Sequence, residues 1–263
     1  MYPTLFYIGN FAVKTYWIMV FAGIIAGFAA LYLNLLSVNK HKRNKILLFA
    51  AFIFIPFYFG ARLGYITEAL IYDKKIFFDL FSISGPYALI WGLLTAIAFS
   101  FPLSKIFKVD VLEVSDFFSP SIALGGFFAK LGCLFNGCCF GIPCGQDFPL
   151  ATHFSTFSNA GHFYPGIPLY PVQLFESITW LAVFIILNLR QKNKKYTGEL
   201  IIIMAYIYCS SRFFIEFIRF HEKAQALSST QILCIVILVI ALILNKFFKN
   251  IKTTGILTKN LTK

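Results

Sequence analysis

The sequence has few charged residues for its length, and this shortage argues against an ordinary soluble enzyme. Only 13% of the 263 residues are Asp, Glu, Lys or Arg, whereas 59% are hydrophobic. A typical soluble domain has about 25% charged residues. The chain also lacks internal repeats, low-complexity segments and any stretch typical of a soluble domain. We therefore expect an integral membrane protein.

Acidic residues are the scarcer of the two charged classes. The chain has 11 Asp and Glu residues against 23 Lys and Arg residues, which gives a formal net charge of +12. A basic excess can indicate nucleic-acid binding, but in a membrane protein the positions of Lys and Arg also set the topology. Most of the basic residues lie in connections between apolar runs, so we interpret them as topology anchors and expect no nucleic-acid partner.

Long apolar runs are the main feature that the sequence does contain. A membrane-spanning helix needs about 20 apolar residues. The suitable runs cover residues 15–36, 46–66, 85–104, 112–129, 171–189, 198–217 and 230–248. They predict an all-α integral membrane protein with about seven transmembrane helices. We expect one transmembrane domain over 1–250, with an extended loop around 131–170, then a basic tail over 251–263. The N-terminus shows no features of a signal peptide.

The basic residues also predict the orientation of the helices. Fifteen of the 23 lie in alternate connections and the tail, together with a single acid, Asp110. The positive-inside rule places these segments in the cytoplasm. We therefore expect the N-terminus and the loop 131–170 outside and the C-terminus in the cytoplasm.

A few ionisable residues fall within or at the ends of the apolar runs. Such residues are costly in a membrane and mark functional sites by default. In the predicted orientation all of them lie in the outer half of the bilayer, on four different helices. This common depth predicts one polar cavity that opens toward the outer leaflet. The residues are Arg62, Lys130, Glu176, Arg212, Glu216 and Arg219.

Arg212, Glu216 and Arg219 have the i, i+4, i+7 spacing of one helical face. Glu216 is thus expected to pair with both arginines. One interpretation is a structural ion-pair cluster, although buried ion pairs contribute little net stability. The alternative is an anion site, because four cations face only two carboxylates, and Arg and Lys bind phosphate well. At this depth the expected anion is a phospholipid head group.

Polar residues recur in four motifs between about residues 7 and 220. They are Gly60-Ala-Arg62-Leu-Gly64-Tyr65, Lys130-Leu-Gly-Cys-Leu-Phe-Asn136-Gly137, Tyr170-Pro171-Val-Gln173-Leu-Phe-Glu176 and Arg212-Phe-Phe-Ile-Glu216-Phe-Ile-Arg219. In this order, and with Tyr16 before them and Asp116 and Pro120 ahead of the second, they resemble the motifs of the prolipoprotein diacylglyceryl transferases. That family has Gly-x-Arg-x-x-Tyr, Gly-Arg-Ile-Gly-Asn-Phe-x-Asn-Gly, His-Pro-x-Gln-Leu-Tyr-Glu and Arg-Phe-x-x-Glu-x-x-Arg at these places.

The resemblance implies an activity and its partners. The family moves the diacylglyceryl group of phosphatidylglycerol onto the lipobox cysteine of a prolipoprotein, forming a thioether and releasing glycerol phosphate. The expected location is the bacterial cytoplasmic (inner) membrane. The expected partners are phosphatidylglycerol, the prolipoprotein signal peptide and membrane lipid, with no cofactor and no metal. Preorganised cations would stabilise the charge of the leaving phosphate ester.

The resemblance also implies residue roles. Arg212 and Lys130 would bind or polarise the phosphate, and Glu216, the third expected catalytic residue, would fix Arg212 and Arg219. Asn136 would hydrogen-bond lipid or peptide. The other residues expected to bind substrate are Tyr16, Arg62, Gly137, Gln173, Glu176 and Arg219.

The chain departs from the family pattern at three positions. Ile90 or a neighbour replaces a histidine of the third span, Lys130 replaces Arg, and Tyr170 replaces another histidine. A divergent transferase of the same reaction, a transferase with another lipid-linked substrate, a non-catalytic lipid-binding relative and a lipid transporter all stay open. The general base is open as well. Its candidates are Tyr87, His153, His162 and Glu176.

Four of the six cysteines lie within twelve residues, in the pattern C-x4-C-C-x4-C. One interpretation is a metal site, but the signal is weak because this spacing differs from the C-x2–4-C pairs of zinc sites. A disulfide is a second interpretation, because the outer side is oxidising in many bacteria. A third is that these small side chains let the backbone approach lipid. The four are Cys133, Cys138, Cys139 and Cys144, whereas Cys209 and Cys234 are expected to pack within spans.

Overall fold

The computed structural model describes residues 4–9, 11–71, 88–221 and 226–253. The candidate base Tyr87, the first residues of the third predicted span and most of the tail lie outside them. The helices are α1 (Thr15–Leu35), α2 (Lys40–Ile71), α3 (Leu89–Phe107), α4 (Val111–Asn136), α5 (Asn159–Phe163), α6 (Val172–Gln191), α7 (Glu199–Ile215) and α8 (Ser229–Thr253). A 3₁₀ turn, Glu216–Ile218, follows α7.

Seven of these helices, all except α5, are long and apolar enough to cross a membrane within the described ranges. Each of them overlaps one predicted apolar run, so the prediction of seven spanning helices is confirmed. Large hydrophobic side chains such as Phe21, Ile25 and Leu189 are exposed on the helices. Lipid can cover such surfaces, because each helix satisfies its own backbone hydrogen bonds. The orientation of the termini stays a prediction.

Two local features differ from the predicted pattern. A short antiparallel hairpin of β1 (Thr4–Ile8) and β2 (Phe11–Lys14) precedes α1. Helix α4 continues to Asn136, seven residues beyond the predicted end at 129, so the long connection begins at 137 rather than 131. The charge of Lys130 does not end the helix, because its ammonium group is paired inside the protein with Glu176.

Helices α2 and α3 form one of two compact units, Leu35–Val114. Two glycines of α2 allow α3 to approach closely: a Cβ on Gly60 would lie 1.9 Å from Thr95 Oγ1, and one on Gly64 would lie 2.3 Å from Trp91 Cβ. Small residues commonly mediate such contacts between membrane helices. Arg62, between these glycines, is fully buried in the structure. Its place in the substrate site stays a prediction.

The second unit contains Met1–Asn34 and Ser115–Lys263. Asp116, near the start of α4, anchors the connection between α6 and α7. Its Oδ2 accepts hydrogen bonds from Lys194 Nζ and Gly198 N, both at 2.9 Å, and its Oδ1 accepts one from Leu200 N at 2.9 Å. The carboxylate thus satisfies backbone N–H groups at the start of α7, where the helix dipole also favours negative charge.

We expect replacement of Asp116 by Ala to destabilise the protein. The change leaves two buried backbone N–H groups without their acceptor, at about 1–3 kcal/mol for each unsatisfied group. Thermal unfolding in detergent measures the effect. Glu113→Ala on the same helix is the control, because Glu113 pairs with the half-exposed Lys42 at 2.7 Å, and exposed pairs contribute about 0–1 kcal/mol. Equal shifts in Tm for the two variants would contradict the anchoring role.

Candidate active site

The C-terminal end of α4 is closed by a tight turn at Gly137. Gly137 N donates to Leu134 O and Cys138 N donates to Cys133 O, both at 3.2 Å. This pair of bonds is a Schellman motif, which requires a left-handed residue after the helix. Gly137 has φ +66°, and a Cβ there would lie 2.6 Å from Ser158 Cβ. Glycine is therefore needed at this position for both conformation and space.

The chain beyond this turn pairs with the segment that follows α7. Ile142 N donates to Ile218 O at 2.9 Å, and Phe220 N donates to Phe140 O at 3.1 Å. The Phe140 and Phe220 rings stack with centroids 5.0 Å apart. This pairing brings Arg219 beside the end of α4, although the two lie about 80 residues apart in the sequence.

Glu176, near the start of α6, is the centre of an ion-pair cluster. Its carboxylate is fully buried. Lys130 Nζ lies 2.5 Å from Glu176 Oε2, and Arg212 Nη1 lies 3.0 Å from Oε1. Arg219 Nη1 lies 3.7 Å from the same Oε1. Helix α4, helix α7 and the extended residue after the 3₁₀ turn therefore each supply one cation to one buried carboxylate.

Glu216 forms a second anionic position beside the first. Its Oε2 lies 2.5 Å from Arg212 Nη2, and its Oε1 accepts a hydrogen bond from Ser228 Oγ at 2.8 Å. His221 Nε2 lies 3.4 Å from the same Oε1. Arg212 thus bridges Glu176 and Glu216 with its two terminal nitrogens, a geometry that the planar guanidinium group favours.

The prediction that Arg219 shares the helical face of Arg212 and Glu216 is wrong. Helix α7 ends at Ile215, and Arg219 has extended backbone with φ −85° and ψ 144°. Its ion pair is with Glu176 rather than with Glu216. The i, i+7 spacing fails because the helix tightens into a 3₁₀ turn before it reaches Arg219.

A cavity of about 550 Å³ adjoins these charges. Such a volume is within the usual range for a ligand site. Lys130, Arg212 and Arg219 face Glu176 and Glu216, so three cations and two carboxylates leave one net positive charge. This balance favours an anionic ligand. The cavity is lined by Cys139, Phe140, Asn159, Phe163, Arg212, Glu216, Arg219, Phe220, His221, Ser228, Ser229 and Thr230.

Three further predicted residues lie around the turn at the end of α4. Gln173 is buried, and its Nε2 donates to Cys138 O at 2.8 Å. Its buried Oε1 has no hydrogen-bond partner among the described residues. The Asn136 side chain hydrogen-bonds Cys138, and Tyr16 lies within electrostatic range of Lys130 and the nearby thiols. These residues therefore lie next to the ion-pair cluster.

The surroundings of the turn lower the pKa of one of its thiols, that of Cys139. Hydrogen bonds from the thiols of Cys133 and Cys138, followed by the positive charges of Arg219 and Lys130, lower the pKa of the Cys139 thiol. Cations beside a thiol commonly have this effect.

The sequence did not single out His221, Ser228 or Tyr208. His221 follows the Arg212–Arg219 motif by two residues and is the histidine that lines the cavity in the described part of the chain. Tyr208 precedes Arg212 by one helical turn and interacts electrostatically with Lys130, Glu176 and Arg212. This helical spacing could have indicated that Tyr208 lies on the same face of α7 as Arg212. Ser228 follows an undescribed stretch, and its spacing gave no signal.

Three of the four earlier candidates for the base are less well placed than His221. His153 and His162 are exposed and are not among the residues that line the cavity. Both carboxylate oxygens of Glu176 contact cations. Tyr87 lies outside the described residues. Ile90 or a neighbour stands where the family has a histidine in the third span, and the Ile90 side chain is exposed.

Comparisons with known proteins show the family of the chain. The profile of the family described as prolipoprotein diacylglyceryl transferase matches residues 3–246. A phosphatidylglycerol–prolipoprotein diacylglyceryl transferase 2 of Clostridium perfringens is 29% identical over 92% of this chain and 94% of its own length. The corresponding enzyme of Clostridium kluyveri is 31% identical over 83% of this chain and 85% of its own length. The chain belongs to the prolipoprotein diacylglyceryl transferase family.

Proposed function

We propose that this protein transfers the diacylglyceryl group of phosphatidylglycerol to the lipobox cysteine of a prolipoprotein, the first step of lipoprotein maturation in the bacterial cytoplasmic membrane. The observation that carries the proposal is the cluster of Lys130, Arg212 and Arg219 around the buried Glu176, beside a cavity, in a chain of this family. The predicted orientation places the site toward the outer leaflet.

The reaction exchanges one bond for another. The substrate's thiolate sulfur attacks the glycerol carbon that bears the phosphate ester, so a C–S bond forms and the C–O bond breaks. The bonding electron pair leaves with the phosphate oxygen, and glycerol phosphate is released. The thiol proton passes to a base. Since the nucleophile comes with the substrate, the enzyme has two tasks. It must stabilise the negative charge that develops on the leaving phosphate, and it must accept the thiol proton.

The cations stabilise the leaving group. Arg212 and Lys130 are held by Glu176 and need little reorganisation to meet a phosphate. In a site largely screened from water, preorganised cations stabilise developing negative charge far better than they would in solution. Arg212 can also present two donors to phosphate oxygens, because its guanidinium group is planar. Glu216 is then a positioning residue that holds Arg212.

His221 is the residue that we assign as the base. Its Nε2 lies 3.4 Å from Glu216 Oε1, and its ring lines the cavity with Arg212 and Arg219. A histidine beside a carboxylate is the usual arrangement for a base that must be oriented. His221 would then take the catalytic role that the resemblance gives to the histidine of the third span.

We expect His221→Asn to lower kcat by about 10²–10⁴-fold, the usual contribution of a general base. His162→Asn is the matched control, because His162 is exposed and does not line the cavity. Initial rates with saturating phosphatidylglycerol and peptide measure the effect. An unchanged kcat in His221→Asn would exclude His221 as the base. It would leave the proposed role of the cation cluster unaffected.

Reconstitution tests the activity itself. The purified protein in phosphatidylglycerol vesicles is incubated with a lipobox peptide, and mass spectrometry follows the peptide. We expect the peptide mass to rise by one diacylglyceryl group, and no change for a peptide with Ser in place of the lipobox cysteine. An unmodified peptide, under conditions in which the Clostridium kluyveri enzyme modifies it, would contradict the proposal.

The absence of a histidine from the third span favours one alternative, a non-catalytic lipid-binding relative. Such a protein would bind phosphatidylglycerol through the same cations but lack turnover. Saturable binding of the lipid together with an unmodified peptide would identify it. Lipid movement between leaflets without chemical change would instead identify a transporter.

A further inference from the structure

Three thiols meet at the turn that ends α4. The Sγ atoms of Cys133, Cys138 and Cys139 all lie within 4.8 Å of one another, and all three cysteines are free. The Schellman turn explains the contact between Cys133 and Cys138, because Cys138 N donates to Cys133 O in this turn and the two residues thus lie side by side. Cys139 then has φ +58°. This left-handed conformation is uncommon for a non-glycine residue and brings a third thiol to the same place.

The spacing of these sulfur atoms suits a metal ion that prefers thiolates. Zinc binds cysteine sulfur at about 2.3 Å, so two sulfurs on a tetrahedral ion lie roughly 3.8 Å apart. The observed separations exceed this by no more than about 1 Å, which a change of side-chain rotamer can remove. Half-buried thiols that already face one another therefore need little rearrangement to bind one ion.

The surrounding charges are compatible with such an ion. Three thiolates and a divalent cation carry one net negative charge. Lys130 and Arg219 both interact electrostatically with Cys139, and Arg219 also forms a hydrogen bond with it. The neighbouring cations would thus compensate the charge of the complex. They would also favour the thiolate forms that a metal requires.

We propose that Cys133, Cys138 and Cys139 form a binding site for one thiophilic metal ion of the zinc class. Water or an added thiol takes its fourth position. The ion links the last turn of α4 to the following segment, and so fixes the turn that carries Asn136 and contacts Gln173. The proposal stands on the geometry of the thiols and does not rest on the proposed transferase activity.

The spacing in the sequence did not predict this site. Zinc motifs usually bring two cysteines together through a short loop. Here the first cysteine is on a helix, and a left-handed turn returns the next two toward it. The expectation of no metal depended on linear spacing alone.

Cobalt and zinc titrations test the proposal. The full-length protein is purified in detergent with a thiol-free reductant, stripped with a chelator, and titrated with Co²⁺. We expect one equivalent to produce thiolate-to-cobalt charge-transfer absorption and the visible bands of a tetrahedral ion, both of which Zn²⁺ abolishes. Zn²⁺ should also raise Tm by several degrees, since a ligand that binds the folded state stabilises it.

Variants locate the site. Cys133→Ser, Cys138→Ser and Cys139→Ser should each lose the charge-transfer absorption and the Zn²⁺-dependent rise in Tm. Cys144→Ser is the matched control and should retain both, because Cys144 lies outside the three-thiol group. Equal loss in Cys144→Ser would overturn the three-thiol assignment.

Two other results would overturn the proposal. One is the absence of cobalt absorption in a protein whose thiols titrate as fully reduced. The other is a disulfide among Cys133, Cys138 and Cys139, found by mass spectrometry after alkylation of intact membranes. Both readouts are independent of catalysis, so failure of the transferase assay leaves the metal proposal standing, and the reverse also holds.

Discussion

Replacement of Arg212 by Ala is expected to lower the rate of diacylglyceryl transfer by at least about 10²–10³-fold, the usual effect of removing one donor that stabilises an anionic transition state. Arg212 contacts Glu176 and Glu216 with different nitrogens and lines the cavity. Replacing Arg212 removes a side chain that we propose to bind the phosphate. It also removes a cation that pairs with both Glu176 and Glu216. Initial rates of peptide modification in phosphatidylglycerol vesicles measure the effect.

Arg212→Lys separates catalysis from folding. Lysine keeps the charge but cannot bridge both carboxylates with a planar fork. We expect Arg212→Lys to keep most of the stability that Arg212→Ala loses. It should recover only part of the transfer rate. Arg190→Ala removes the same charge from α6, where Arg190 pairs with Glu199 at 2.8 Å, and should retain the rate. Wild-type turnover in a folded Arg212→Ala protein would exclude Arg212 from the active site.

The second large effect is expected for Glu176→Gln. The substitution preserves shape but removes the negative charge that Lys130, Arg212 and Arg219 share. Breaking a buried ion pair by removing one partner costs about 3–5 kcal/mol. We therefore expect a large fall in the free energy of unfolding and loss of transfer, measured by thermal unfolding and by the vesicle assay.

Anionic lipid should partly reverse the loss of stability in Glu176→Gln. With the carboxylate gone, Arg212 still pairs with Glu216. A phosphate that enters the cluster then becomes the counter-ion for Lys130 and Arg219. Phosphatidylglycerol should thus raise Tm more in this variant than in the wild type, relative to a zwitterionic lipid. Glu68→Gln is the control, because Glu68 is exposed and accepts a hydrogen bond from Trp91 at 3.1 Å. An equal response to lipid in both variants would contradict phosphate binding at this cluster.

The ends of the helices show where prediction from sequence stops. A hydrophobic run identifies a span, but its boundary depends on which polar residues find partners. Lys130 suggested an end to α4, yet its pairing with Glu176 allows the helix to continue. At α7 the opposite occurs, because the helix ends before Arg219 although the spacing suggested one continuous face.

The contacts of the site show the same limit. The scarcity of charges within the spans was sufficient to single out Lys130, Glu176, Arg212 and Glu216, because burying a charge in a membrane is costly. Their pairing was not visible in the sequence. Neither was the position of His221, which lines the cavity beyond the end of α7. Arg62 is buried as expected, and its function stays a prediction.

The sequence by itself determined that this is a protein of seven membrane-length helices with a few costly charges and the motifs of its family. It could do so because lipid imposes a length and a polarity on each span independently of its neighbours. Only the tertiary structure decided that Glu176 is the centre of the cation cluster, that Arg219 reaches it from beyond a helix end, and that three thiols meet at one turn. These contacts join residues far apart in the chain or across a left-handed turn, and both depend on backbone geometry that linear spacing does not encode.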